Sequence, residues 1–368
     1  MLIFLVLIFF RPFICALAFP DLNFIYSVVL LIFLAGYIIY RNPFSLGVPA
    51  LKYPLILFCL ALLICVIFSR NQFISLAELY KYISGMGLFL VGVSLSEKDK
   101  LSAIRTIILT GAVISFLAIY QYFFSFSHVS DYLSNNKLSF PFALDYLGRR
   151  RVFLPFVTPG VLGGYLAMII PLSLVNKNRI WFTPLIFFAL LLTRSPVAFL
   201  SLFCALVVYF CLQGKLKKSS ILVLAGLFLL IVIMVIWRSA SQKEHIRPIF
   251  SMAMRLNYWQ ENLMVVKAHP FVGVGLGNLN LQMSRYAHNS YLQILAEMGI
   301  LGLFSFIWLV FAALSSGFNN LKQSIYRDQI SGLIAASVVF LVHNILDFTF
   351  FLPEVSLIWW LILGLIIV

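Results

Sequence analysis

The sequence predicts an all-α, polytopic transmembrane helical bundle of about twelve spans with two longer outer loops. Three observations carry this. The chain has 368 residues, of which 62% are hydrophobic and 10% charged, where a soluble domain carries about 25% charge. A large core does not explain the deficit, because a soluble protein must still clothe its surface with polar groups. The apolar residues gather in runs near the roughly 20 residues that a helix needs to cross hydrocarbon. The basic residues fall mainly between those runs, and 16% aromatic content suits lipid-facing helices and interfacial belts.

The runs lie near 2–19, 24–40, 54–70, 73–95, 101–124, 157–175, 179–193, 195–213, 219–237, 288–315, 329–346 and 352–368. Met1 to Phe10 lacks a basic leader, and Arg11 and Pro12 interrupt the run before the small residues Ala16 and Ala18. The first run is therefore expected to be an uncleaved helix. With the N-terminus inside, the inner connections hold Arg41, Lys52, Lys98, Lys100, Arg105, Lys177, Arg179, Lys215, Lys217, Lys218, Lys322 and Arg327. The short outer turns hold Arg70 and Arg194, so both termini are expected on the cytoplasmic side. Two long loops, about 125–156 and about 238–287, then fall outside. Internal repeats, heptads and low-complexity linkers are not evident, and residues 1–368 read as one membrane domain.

Both outer loops are basic. The first carries Lys137 and the run Arg149, Arg150, Arg151; the second carries Arg238, Lys243, Arg247, Arg255, Lys267 and Arg285 against Glu244 and Glu261. The formal charge of +14 comes without a basic helix or an aromatic-basic module, so nucleic acid is excluded as a partner. Anionic head groups and phosphorylated lipids fit better, because an arginine fork matches phosphate oxygens. Cys15, Cys59, Cys65, Cys204 and Cys211 lie in apolar runs without metal-ligand spacing, so they read as small buried hydrophobes and no zinc is expected.

The most informative stretch runs from Arg255 to Leu303. Arg255-Leu-Asn-Tyr-Trp259 opens an amphipathic helix with Leu256, Trp259, Leu263 and Val266 at helical spacing, and Trp259 suits an interfacial anchor. His269 to Asn278 is a glycine-rich turn without a βαβ context, which leaves a packing turn or a phosphate nest. His288-Asn289-Ser290 precedes a long apolar helix. With Asn289 or Ser290 as N-cap, His288 sits at the positive end of the helix dipole. That end attracts phosphate and lowers an imidazole pKa, so His288 is either a general base or a structural residue. Glu297 lies inside this helix and needs a partner or a wet cavity, beside Gly299 and Gly302, which allow close packing.

These residues resemble the O-antigen ligase and O-antigen polymerase superfamily. Its pattern is an Arg followed by Trp, an H-P-x-x-G-x-G-x-G-N turn, and H-N-x-x-L-x-x-x-x-E-x-G-x-x-G-L. Arg255 and Trp259, His269 to Asn278, and His288 to Leu303 match it in order and spacing. Arg151 to Tyr165 is similar to its R-x-x-G-x-F-x-N-P-N segment, except that Leu154 replaces Gly and Thr158 and Gly160 stand where Asn is usual. Thr193-Arg194-Ser195 is similar to its S-R-G, with Pro196 following. The resemblance covers about 150–310 as a ligase-like core; elsewhere it extends to the span layout alone.

The resemblance implies a C-type glycosyltransferase, without cofactor or metal, in the bacterial inner membrane with its active face periplasmic. It implies transfer of a glycan from undecaprenyl diphosphate to a lipid A-core or other glycan acceptor. Arg194 and Arg255 are then the diphosphate-binding residues and His288 the catalytic one. Arg151, Asn289, Glu297, His343 and Asp347 are supporting candidates. His343 and Asp347, four apart, either pair or line the pocket, and Glu78 and Lys81, three apart, either neutralise each other or serve a site. A repeat-unit polymerase, a lipid-linked sugar transporter and a non-catalytic scaffold are the alternatives open at this point. A transporter is expected to show inverted repeats and midplane charges, and neither is visible.

Overall fold

The computed structural model describes residues 1–41, 49–128, 131, 143–176, 180–214, 217–240, 247–321 and 327–367. Lys137, Lys177, Arg179, Lys215, Lys243, Glu244 and Lys322 lie outside them. In chain order the helices are α1 (Leu2–Phe10), α2 (Pro20–Arg41), α3 (Pro49–Ile67), α4 (Gln72–Ser94) and α5 (Glu97–Tyr120). They continue as α6 (Ala143–Gly148), α7 (Pro159–Val175), α8 (Phe182–Thr193), α9 (Pro196–Gln213) and α10 (Lys218–Ser239). The last four are α11 (Pro248–Ala268), α12 (Ser290–Asn320), α13 (Arg327–His343) and α14 (Pro353–Leu365). No strand occurs among the described residues. Side-chain caps set several starts: Asn71, Ser96, Thr158 and Asn289 each accept from a first-turn N–H. Pro159, Pro196, Pro248 and Pro353 open their helices, where the missing N–H costs nothing.

Among the described residues seven helices are long and apolar enough to cross a membrane: α2, α3, α4, α5 with its extension to His128, α9, α10 and α12. That is fewer than the twelve apolar runs counted in the sequence. A helix lies on each of the other runs, but those helices are short. The 12 residues of α8 rise about 18 Å, well under the roughly 30 Å hydrocarbon thickness. The run is longer than the helix because its apolar residues continue through the helix ends into turns.

The centre is formed by α7 and α14, buried along nearly all their length, with α13 packed against both. Trp359 and Trp360 of α14 are fully enclosed; Trp359 stacks on Phe340 at 4.5 Å, and Trp360 packs on Phe58 and Phe89. These two tryptophans therefore fill the core and are not part of an interfacial belt. α4 lies along α14, with the two backbones meeting at Gly92 and Gly364. α1 is tied to α14 by Arg11, whose guanidinium lies 3.6 Å from Glu354 and donates to Asn23. At the margin α10 is the least enclosed of these seven, with Ser220 and Leu227 its buried residues.

The glycine-rich turn is a packing device. α12 breaks at Gly299 (φ 66°, ψ −170°), which leaves backbone groups on both sides without their helical partners. The turn supplies replacements. Val274 and Gly275 donate to the carbonyls of Ala296 and Glu297 at 3.0 and 2.9 Å, and Ile300 donates to Pro270 at 2.9 Å. In the buried interior around Glu297, Met298 and Gly299 this exchange satisfies groups that would otherwise be left unpaired. It brings two backbones into direct contact: a Cβ at Gly273 would stand 2.3 Å from the Glu297 carbonyl carbon.

Candidate functional site

A cavity of about 300 Å³ opens at the end of the bundle where α7, α9 and α12 begin. The first residues of all three helices reach it: Thr158, Pro159 and Gly160 of α7, Ser195, Pro196 and Val197 of α9, and His288 just ahead of α12. Their partial positive ends suit an anion. Four arginines, Arg149, Arg151, Arg238 and Arg255, line the same cavity. Asp347 is the carboxylate on that lining.

Arg151 and Arg255 are held by backbone carbonyls. Arg151 donates from Nε to the Thr193 carbonyl at 2.9 Å and lies over the Tyr146 ring. The loop behind it is fixed by Gln121, buried in a π-helical turn at the end of α5, whose Oε1 accepts from both Phe153 and Leu154. Burial, together with neighbouring Arg238, Arg149 and Arg194, pulls the Arg151 guanidinium down to about 9, still cationic at neutral pH. Arg255 donates from Nε to Leu346 at 3.1 Å and from Nη1 to Ser251 at 3.3 Å. It joins α11 to the loop between α13 and α14. The helix that carries it begins at Pro248, one turn and more ahead of the expected start.

His288 is held in the left-handed region at φ 51°, an uncommon conformation for a residue with a side chain. Asn289 caps α12 through its side chain at 3.0 Å from Leu292 N, which fixes the turn beside it. The imidazole stacks on Tyr258 at 5.8 Å and meets Phe348 edge-on at 4.8 Å. Burial drives its pKa down to about 4; nearby Arg255 adds to this and Asp347 opposes it, so the ring is neutral at pH 7. Trp259 donates from Nε1 to the carbonyl of Ala287 at 3.1 Å. It thus anchors the residue next to His288 as well as α11. Trp259→Phe keeps an aromatic ring but removes the indole N–H and orphans that carbonyl; amide hydrogen exchange at residues 288–292 is expected to rise about tenfold, the cost of one hydrogen bond.

Asp347 Oδ1 accepts from the Phe348 amide at 2.7 Å, and Oδ2 lies 3.2 Å from Nε2 of His343. The His343 contact is close but off the line of a directed hydrogen bond. Burial works against the Asp347 charge, but His343 and His288 hold its carboxyl below the usual value. Gly160 makes room for it, since a Cβ there would stand 2.9 Å from Oδ2. Thr158 caps α7 through Oγ1, the work an asparagine does at such a position. Two apparent departures from the family pattern thus have local structural reasons.

The structure brings Arg151, Arg255, His288 and Asp347 to one cavity, with Asn289 and His343 directly behind. Arg194 is not on that lining. Its backbone takes φ 50° at the end of α8, its Nη1 donates to the Arg149 carbonyl, and its guanidinium lies over Trp237. It borders a smaller hollow with Arg149, Arg151 and Arg238. Glu297 is also elsewhere. It is buried, accepts from Gly277 N at 3.0 Å and Gln293 Nε2 at 2.8 Å, and so secures the glycine turn. Glu78 pairs with Lys81 and with Arg285 near Glu297, away from His288. The expected apolar stripe of α11 is split: Trp259 and Val266 face inward with Tyr258 and Asn262, whereas Leu256 and Leu263 face out.

Arg149, Arg238, Tyr258 and Phe348 line the cavity without having been singled out from the sequence. Arg149 had a signal in its arginine run and Tyr258 in its place beside Trp259. Arg238 and Phe348 had none beyond charge or aromaticity.

No curated protein matches the chain. Residues 181–307 match the family model described as O-antigen ligase. The matched stretch contains Arg194, Arg255, Trp259, the glycine turn, His288 and Glu297, whereas Arg151, His343 and Asp347 lie outside it. Over residues 181–307, about a third of the chain, it is similar to the O-antigen ligase family.

Proposed function

We propose that the protein is a membrane glycosyltransferase that moves a glycan from undecaprenyl diphosphate to a lipid A-core acceptor at the periplasmic face of the bacterial inner membrane, with about twelve membrane passages. The observation that carries the reading is the cavity itself, where Arg151, Arg238 and Arg255 and three helix starts converge beside a neutral imidazole. The diphosphate is already a good leaving group, so its departure needs charge stabilisation more than a proton. Arg255 with Arg151 and Arg238 supplies fixed positive charge, which serves in place of a divalent metal. The acceptor hydroxyl oxygen attacks the anomeric carbon as the bond to the phosphate oxygen breaks, and the diphosphate leaves with the electron pair. His288 orients the hydroxyl and takes its proton. In-line displacement inverts the anomeric centre. Asp347 steadies the imidazolium that forms.

The test uses purified protein, an undecaprenyl-diphosphate glycan and lipid A-core in chelator. Glycosylated lipid A-core is expected; failure to form it with active donor overturns the reading. In a deletion strain, rough core without polymer supports ligation, and core bearing one repeat assigns the same chemistry to a polymerase.

The pH profile follows from His288. Its neutral form is the active one and its folded pKa is depressed to about 4. Values of kcat/KM, which report the free enzyme, are therefore expected to stay level from pH 8 down to about 5 and fall about tenfold per unit below about 4. A limb near the ordinary histidine value of about 6.5 in the same plot would count against the buried, neutral imidazole.

A further inference from the structure

His288 is held by aromatic rings. Neither of its ring nitrogens hydrogen-bonds to a protein group among the described residues, and the ring lines the cavity. His343 differs, since both of its nitrogens are buried without a hydrogen-bond partner. The His288 imidazole stacks on Tyr258 at 5.8 Å with 23° between the planes, and Phe348 meets it at 90° and 4.8 Å. Both separations fall in the range at which aromatic rings adopt preferred stacked or edge-on geometries.

The two rings come from different elements, and each is fixed in its own way. Phe348 follows α13. It is buried, stacks on Tyr286 at 4.4 Å and 7°, and its amide donates to Asp347 at 2.7 Å. Tyr258 is half-buried on α11 beside Trp259, whose indole N–H donates to the carbonyl of Ala287, the residue before His288. Arg255, one turn earlier, donates to Leu346, two residues before Phe348. So α11 is tied both to the base of the imidazole and to the loop that carries the second ring. A general base is ordinarily oriented through a hydrogen bond at one of its nitrogens. Here packing sets the plane, and both nitrogens stay available to ligands. One can accept the proton of the attacking hydroxyl while the other N–H donates to a second substrate oxygen.

We propose that Tyr258 is a positioning residue for His288: with Phe348 it sets the plane of the imidazole by ring contact and leaves both nitrogens to the substrates. This rests on the transferase reading and adds to it how the base is presented. The ring of Tyr258 is what matters, not its hydroxyl. That ring also covers one face of the imidazole from water. The charges that act on the imidazole are Asp347 after α13 and Arg255 on α11. Tyr146, Arg149, Arg151 and Arg238 line the same cavity. All of them remain when Tyr258 is replaced, so a change in the titration of His288 reports the lost cover. Hydration favours the charged imidazole, and uncovering the ring therefore raises its pKa.

The full chain, labelled with nitrogen-15 histidine and held in detergent, is titrated by NMR; the resonance missing in His288→Asn identifies His288. The wild-type ring is expected to titrate at about 4. In Tyr258→Leu it should titrate at about 5 or above, towards the ordinary value of about 6.5. Turnover of glycan transfer in that variant should fall about tenfold while KM for the donor stays within about twofold, because the loss lies in how the base is held. Tyr258→Phe keeps the ring and should recover both the low titration and most of the turnover. Tyr258→Met is read beside Tyr258→Leu, with unfolding midpoints, so that a fold defect in one replacement does not decide the result. If His288 titrates in both as in the wild type, the proposal is overturned. Equal loss in Tyr258→Phe and Tyr258→Leu overturns it too, since the hydroxyl would then be the group that acts. The titration needs no turnover, so the two failures separate. A shifted His288 in a chain whose wild type transfers no glycan sinks the transferase reading, and full transfer with an unshifted His288 sinks this proposal.

Discussion

His288→Asn is expected to lower the turnover of glycan transfer by about 10²–10⁴-fold, with the unfolding midpoint close to that of the wild type. Asparagine is the informative replacement because His288 sits at φ 51°, a conformation that asparagine adopts far more readily than alanine. Alanine would mix lost chemistry with backbone cost. The size of the effect follows from what the ring does. It is buried between Tyr258 and Phe348, neutral at pH 7, and open to the cavity that Arg255 lines. Nothing else on that lining accepts a proton as readily at neutral pH, since Asp347 is held as a stabilised carboxylate by His343. The measurement is product formed per unit time by purified variants at saturating donor, with thermal unfolding alongside. A variant that keeps more than a tenth of wild-type turnover while folding normally would mean that His288 packs the site and does not act in it.

How far the sequence foretold this site differs by the kind of feature. Helix positions were legible because the apolar runs are long and lipid imposes one solution on them. Helix lengths were not, as α8 and α14 show: composition does not register where an apolar stretch stops being helical. Among the site residues, His288 and Arg255 were legible through local pattern and share the cavity. Arg238 was illegible because its role depends on α10 ending beside the Arg149–Arg151 loop, a tertiary fact. Arg194 was legible as a residue, but its direction was not, since that is set by one left-handed turn and the ring of Trp237. Thr158 and Gly160 looked like losses from the pattern. One caps a helix as well as asparagine would, and the other leaves space for Asp347.

Gly299→Ala is expected to destabilise the protein by about 4 kcal/mol or more, enough to leave little folded material in detergent. Gly299 takes φ 66° with ψ −170°, a region essentially confined to glycine, and forcing a side chain there costs about 1–3 kcal/mol. Space adds to this. An added Cβ would stand 2.2 Å from the carbonyl carbon and oxygen of Phe271, which are backbone and cannot swing aside. Pushing the turn away breaks the exchanged hydrogen bonds of Val274, Gly275 and Ile300, each contributing about 0.5–1.5 kcal/mol. Gly226→Ala is the control, because it lies in α10 with nothing within 4 Å of the added carbon. Its unfolding midpoint should hold or rise slightly, as alanine favours a helix interior. If both variants unfold at the wild-type temperature, the break in α12 is not what holds the glycine turn. The Trp259–Ala287 bond and the cap at Asn289 would then have to fix His288 by themselves.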